Sequence, residues 1–182
     1  VVNFPHNGME LRNTRDCTLQ GNIIGGNGTN GIYLYNDIGS TISKNNIGLK
    51  EIGQAQFTFT IPECESEFHP DSIALDIIEL VSYVNIGNDG IGIYIEESAH
   101  NTIDSNLIGF NNFHGLLIAT SHLFEVNNNW VGTDGFQPLS NGHHGMKIKY
   151  SNDYSLFKNN SSYNNWSGIK LLGNAVGILD SN

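Results

Sequence analysis

Short stretches in which every second residue is apolar recur along this chain, each beginning just after a glycine. The glycines are Gly8, Gly31, Gly92, Gly115, Gly145 and Gly168. Three of the five gaps between them are 23 residues, the gap from 115 to 145 is 30, and the gap from 31 to 92 is 61. One residue after each glycine stand Met9, Ile32, Ile93, Leu116, Met146 and Ile169. Three residues after it stand Leu11, Leu34, Ile95, Ile118, Ile148 and Leu171. Eleven residues after it come Leu19, Ile42, Ile103, Val126, Leu156 and Leu179, and fourteen after it comes an asparagine each time, from Asn22 to Asn182.

Apolar residues two apart share one face of a strand, whereas a helix would need spacings of three and four. Each strand is too short to stand alone, so it must stack on its neighbours. Parallel stacking about 4.8 Å apart lines the columns up into one dry interior. The pattern therefore predicts an all-β chain, a right-handed single-stranded parallel β-helix of about 6–7 coils of ~23 residues. Glycine at the frame suits a positive φ or a close backbone approach. Asparagine at the far corner suits the left-handed conformation, and its amides can bond along the stack.

The long gap is read as a hidden coil starting at Ser72, which adds Ile73 and Leu75 to the apolar columns. A helix over 72–87 is the alternative, since Ile73, Ile77, Leu80 and Val84 share a helical face. The coil is preferred because SIALD mimics GIYLY and Asn85-Ile86-Gly87 mimics Asn46-Ile47-Gly48. Residues 49–71 are read as a loop insertion, with Phe57, Phe59 and Ile61 alternating ahead of an acidic patch around Cys64. Otherwise 1–182 reads as one domain. Neither end carries an obvious cap, so the chain is expected to belong to a longer solenoid or to stack end to end on another subunit. With neither initiator Met nor signal peptide, it reads as a mature, excised or trimmed product.

Composition narrows the partners. There are 26 Asn and 21 Gly, a turn-rich content that agrees with many short strands. Only 8 residues are Lys or Arg against 18 Asp or Glu, a net charge of −10. That argues against nucleic acid and against an anionic membrane surface. No stretch is long and apolar enough to span a bilayer. Cys17 and Cys64 allow a single bridge and no framework.

The segments GIYLYNDIGSTISKNNIG (31–48) and GIGIYIEESAHNTIDSNLIG (90–109) resemble repeats of the pectin-lyase-like β-helix superfamily, of the carbohydrate-binding and sugar-hydrolysis type. NNWVGTDGFQPLSNGHHGMKI (128–148) resembles β-helix repeats of large secreted surface proteins. The resemblance covers nearly the whole chain. It implies an extracellular or cell-surface location, and a ligand lying along the outer face of the strand that follows the frame glycine. It does not choose among lyases, hydrolases, epimerases, adhesins and accessory proteins.

On that outer face, Tyr33, Tyr35 and Tyr94 are candidates to stack on sugar rings, and Lys147 or Lys149 to meet a uronate carboxylate. If the Ser72 coil exists, Asp76 and Glu96 lie on adjacent coils, close enough to divide acid and base roles, with Lys149 as a helper. The same carboxylates could hold Ca²⁺, the one ion weighed beside an expectation of no cofactor. His114 and His144 precede consecutive frame glycines and could share a metal, with His143 and Asp134 nearby. HHGMKIK (143–149) is similar to motifs of polygalacturonase-type hydrolases, but it fuses two elements kept apart there, and the chain has no Asp-Asp pair. The reading that leads is a non-catalytic extracellular module, a rigid spacer or adhesion surface contacting a polysaccharide or cell-surface glycan. The alternatives are a polysaccharide-active lyase, hydrolase or epimerase, and a metal-binding accessory domain.

Overall fold

Every frame glycine is followed at once by a four-residue strand. The computed structural model describes residues 2–57, 78–173 and 176–182. In chain order the strands are β1 (Met9–Arg12), β2 (Thr18–Gln20), β3 (Ile23–Ile24), β4 (Ile32–Tyr35), β5 (Thr41–Ser43) and β6 (Asn46–Ile47). Next come β7 (Leu49–Phe57) and β8 (Ile78–Asn85), then β9 (Ile93–Glu96), β10 (Thr102–Asp104) and β11 (Leu107–Ile108). The rest are β12 (Leu116–Ala119), β13 (His122–Asn127), β14 (Trp130–Val131), β15 (Met146–Lys149), β16 (Asn152–Phe157), β17 (Asn160–Ser161), β18 (Ile169–Leu172) and β19 (Gly177–Asp180). Among the described residues there is no α-helix.

The strands sort into three parallel sheets. The first runs β1-β4-β9-β12-β15-β18, the second β2-β5-β10-β13-β16-β19 and the third β3-β6-β11-β14-β17. This is a parallel β-helix, and its register is that of the sequence columns. Leu11, Leu34, Ile95, Ile118, Ile148 and Leu171 pair one above another. Ile32, Leu34, Ile93, Ile95, Leu116, Ile118, Met146 and Ile148 have no solvent exposure. The second sheet adds Ile42, Ile103, Val126 and Leu156 to this interior, and the third adds Ile24, Ile47, Ile108 and Val131. Each such burial stabilises by roughly 1.5–3 kcal/mol.

The corner residues differ from expectation in an instructive way. The frame glycines adopt no positive φ. They are glycine because of close approach: a Cβ on Gly31 would lie 2.7 Å from the Gly92 carbonyl oxygen and 2.9 Å from Ile47 Cγ2. The asparagines fourteen residues on are not left-handed either. That conformation falls on the residue just before them, at Gly21, Lys44, Ser105, Asn128, Lys158 and Ser181. The asparagine itself turns inward. From Asn22 through Asn45, Asn106, Asn129 and Asn159 to Asn182, each Nδ2 donates to the next Oδ1 at 2.8–3.0 Å. A second ladder, Asn27–Asn88–Asn111–Asn141–Asn164, runs parallel to it at 2.7–2.9 Å.

No coil lies between β4 and β9, where the Ser72 coil is expected. Residues 72–77 lie outside the described residues, but β4 pairs with β1 on one side and directly with β9 on the other, so no strand lies between β4 and β9. The 61-residue gap is one coil of 23 plus 38 further residues. The chain leaves the stack after Gly48 and rejoins it at Ile86, whose N–H donates to the Gly48 carbonyl at 3.0 Å. The excursion is thus longer than the expected 49–71. Within it, β7 and β8 form a two-stranded sheet, and Glu51–Val84 make up a compact unit of their own.

Candidate functional site

Strand geometry sends alternate residues of the first sheet outward, and register stacks them into two outer columns. One reads Glu10, Tyr33, Tyr94, Leu117, Lys147, Lys170; the other reads Arg12, Tyr35, Glu96, Ala119, Lys149, Leu172. The two halves of this face have different chemistry.

The first half is satisfied by its own members. Arg12 is ion-paired with Glu10, and its guanidinium lies over the rings of Tyr33 at 5.1 Å and Tyr35 at 5.6 Å. The Arg12 hydrogen bond, helped by Asn7, holds the Glu10 carboxyl below its ordinary range. Tyr33 and Tyr94 stack with centroids 5.1 Å apart. The Tyr33 hydroxyl donates to Glu96 Oε2 at 2.9 Å. Burial, then that bond, pushes the Tyr33 phenol up to about 12. Burial and Glu96 raise Tyr94 as well, and a hydrogen bond to Glu97 raises Tyr35. These phenols stay protonated at neutral pH. Both faces of the Tyr33 ring are covered, by Arg12 and by Tyr94, so a sugar would meet ring edges and hydroxyls there instead of an open ring face.

The second half is cationic. Leu117 and Ala119 are 7% and 1% exposed between the longer side chains on either side, and beyond them come Lys147, Lys149 and Lys170. The one ion pair among the described residues is Arg12–Glu10, so these lysines have no carboxylate partner there. Beside them, Trp166 stacks on His143 with centroids 4.3 Å apart and planes 6° apart, and Phe113 meets His143 edge-on at 4.9 Å.

Of the residues proposed for catalysis, Glu96 and Lys149 are described and are not brought together. Asp76 lies outside the described residues. Glu96 has Tyr35 and Ala119 as its register neighbours. Lys149 is two strands from Glu96, roughly 10 Å at strand spacing, and Glu96 bonds Tyr33 instead. His114 and His144 do stack, with centroids 5.2 Å apart and planes 15° apart. Burial, with positive Lys147 next in weight, pushes His114 down to about 4; burial and Lys170 lower His144. Asp134 does not join them. Its Oδ1 accepts the N–H groups of Phe136 and Gln137 at 2.9 and 2.8 Å, closing its own turn. Among the described residues no three His, Cys, Asp or Glu side chains converge as a metal group. Cys17 is a free thiol near the Arg15 carbonyl, and Cys64 lies outside the described residues. Sequence reasoning missed Trp166, although it stands two residues before a frame glycine, as Phe113 and His143 do.

Comparison with known proteins agrees with the architecture. The chain is similar in structure to a mutant of the periplasmic alginate epimerase AlgG, at 16% identity and a TM-score of 0.56, over 91% of this chain and 35% of that one. A double mutant of the same epimerase matches at 15% identity and a TM-score of 0.54, over 96% and 46%. This chain therefore spans less than half of either neighbour, and the likeness is one of fold, a pectin-lyase-like parallel β-helix. No curated protein matches the chain. The family model described as "Periplasmic copper-binding protein (NosD)" matches residues 2–131, and its periplasmic description agrees with the location outside the cytoplasm expected from the repeats. With most of its length matched by that model, this chain belongs to the NosD family.

Proposed function

We propose that this chain is a non-catalytic β-helix module of the cell envelope that holds an acidic polysaccharide along the basic half of its first sheet. One observation carries the reading. Three of the chain's 8 cationic residues, Lys147, Lys149 and Lys170, sit on two adjacent strands with no ion-pair partner among the described residues, in a chain of net charge −10. Like charges this close repel one another, and a polymer bearing carboxylates relieves that repulsion at several points at once. Each exposed ion pair contributes about 0–1 kcal/mol, so binding depends on several sugars acting together and weakens with salt. The stack beneath supplies a rigid support, which is what a spacer or adhesion surface requires.

Catalysis is not favoured, because Glu96 is engaged by Tyr33 and stands apart from Lys149. Copper enters through the family's description. The described donors do not fit it: no three of them converge, and His114 and His144 meet as stacked rings, with centroids 5.2 Å apart and planes 15° apart.

The test is a titration of oligogalacturonate into the unaltered chain and into the K147A/K149A/K170A variant, at low and at high salt. The expected result is saturable binding that weakens with salt, and a loss of about tenfold or more in the variant with its melting temperature kept. Equal binding by the two proteins, or none at low salt, would remove the proposal.

A further inference from the structure

The residues that immediately precede the frame glycines form a third column, Asn7, Asn30, Ile91, His114, His144 and Ser167. At its lower end Asn7 Oδ1 accepts the Asn30 N–H at 3.2 Å, and Asn30 Oδ1 accepts the Ile91 N–H at 3.0 Å. Further up, the acceptor becomes a ring nitrogen. His114 Nδ1 accepts the His144 N–H at 3.3 Å, and His144 Nδ1 accepts the Ser167 N–H at 3.2 Å. We infer that His114 and His144 are rungs of this corner ladder, with imidazole Nδ1 standing in for amide Oδ1, and that the pair is not the copper site suggested by the family's description.

Three observations meet here. An Nδ1 that accepts an N–H carries no proton, so a neutral ring has its proton on Nε2. Nε2–H offers no lone pair to a metal, and the Nδ1 lone pair is already used. Next, a shared ion must lie in the plane of both rings, about 2.0 Å from each nitrogen. Rings stacked 5.2 Å apart with planes 15° apart do not converge on such a point. Finally, His144 is 3% exposed and its Nε2 is buried with no hydrogen-bond partner, a cost that the Nδ1 bond and the ring stacking offset. Trp166 meets that ring edge-on at 5.1 Å.

Nitrogen-15 NMR of the ring nitrogens in the unaltered chain tests the tautomer without a variant. The expected result at neutral pH is a proton on Nε2 and none on Nδ1 for both residues. Cu(II) chloride is then added in steps. The His114 and His144 signals are expected to persist until other sites on the chain have broadened, and the H114N/H144N variant is expected to take up as many copper ions as the unaltered protein. A proton on Nδ1, early loss of these two signals, or a folded double variant that binds one ion fewer would each overturn the inference.

Discussion

Asn106 donates twice to the same atom of Asn129, from its backbone N–H at 3.0 Å and from its side-chain Nδ2 at 2.9 Å. Neither residue has any solvent exposure. Nδ2 of Asn106 also reaches the Ile42 carbonyl at 2.9 Å, so one amide ties three successive coils together. Removing it strands donors and an acceptor in a dry interior. Asn106→Ala is therefore expected to lower unfolding free energy by about 3 kcal/mol or more, at roughly 1–3 kcal/mol for each buried group left unpaired. Urea denaturation measures this, and a loss under about 1 kcal/mol would mean that the ladder contributes little.

The tyrosine cluster makes a different prediction. Tyr33 lies between Arg12 and Tyr94, and its hydroxyl bonds Glu96. If this stack serves the sheet and not a ligand, Tyr33→Ala should cost about 1–3 kcal/mol in stability while oligogalacturonate affinity changes less than about twofold. Chemical denaturation alongside the binding titration separates the two effects. A large loss of affinity at full stability would return Tyr33 to the ligand site.

His114 gives the fold a pH dependence of known sign. Its folded value is pushed down to about 4 from an ordinary 6.5, by burial first and then by positive Lys147, with His144, His143 and Lys149 adding. Between those values the unfolded chain holds the extra proton, so acid favours unfolding. The stabilisation is complete above about pH 6.5 and is lost as pH falls toward 4. After allowance for solvent, its size is about 1–2 kcal/mol. Melting temperature against pH should therefore show a slope in that window that His114→Asn reduces. An unchanged slope would mean that His114 titrates normally.

The interior was legible because stacking repeats its demand at every coil: the columns through Leu34, Ile95 and Ile148 are apolar wherever the register holds. The Asn22–Asn182 ladder was visible for the same reason. The second ladder was equally periodic, four residues before Gly31, Gly92, Gly115, Gly145 and Gly168, but in a chain with 26 asparagines it does not stand out. The direct pairing of β4 with β9 was not legible, because local mimicry between SIALD and GIYLY says nothing of register. Whether 61 residues hold two coils or one coil and an excursion is decided by which strand β4 pairs with, a long-range fact. The left-handed residues were hidden because Lys44, Ser105 and Lys158 carry no glycine-like signal. At the outer face, sequence gave the order of Tyr33, Tyr94 and Lys147 along the stack. It could not reveal that Arg12 and Tyr94 cover the Tyr33 ring, since that depends on side-chain rotation.

Binding without turnover is the claim on which the functional account stands. The direct measurement is prolonged incubation of oligogalacturonate and oligomannuronate with the chain, followed by mass spectrometry for length and proton NMR for sugar configuration. The account predicts that both oligomers return with unchanged length, unsaturation and configuration, while bound oligogalacturonate is displaced by salt. Shortened, unsaturated or epimerised product that disappears with Glu96→Gln would contradict it and make this sheet an active site.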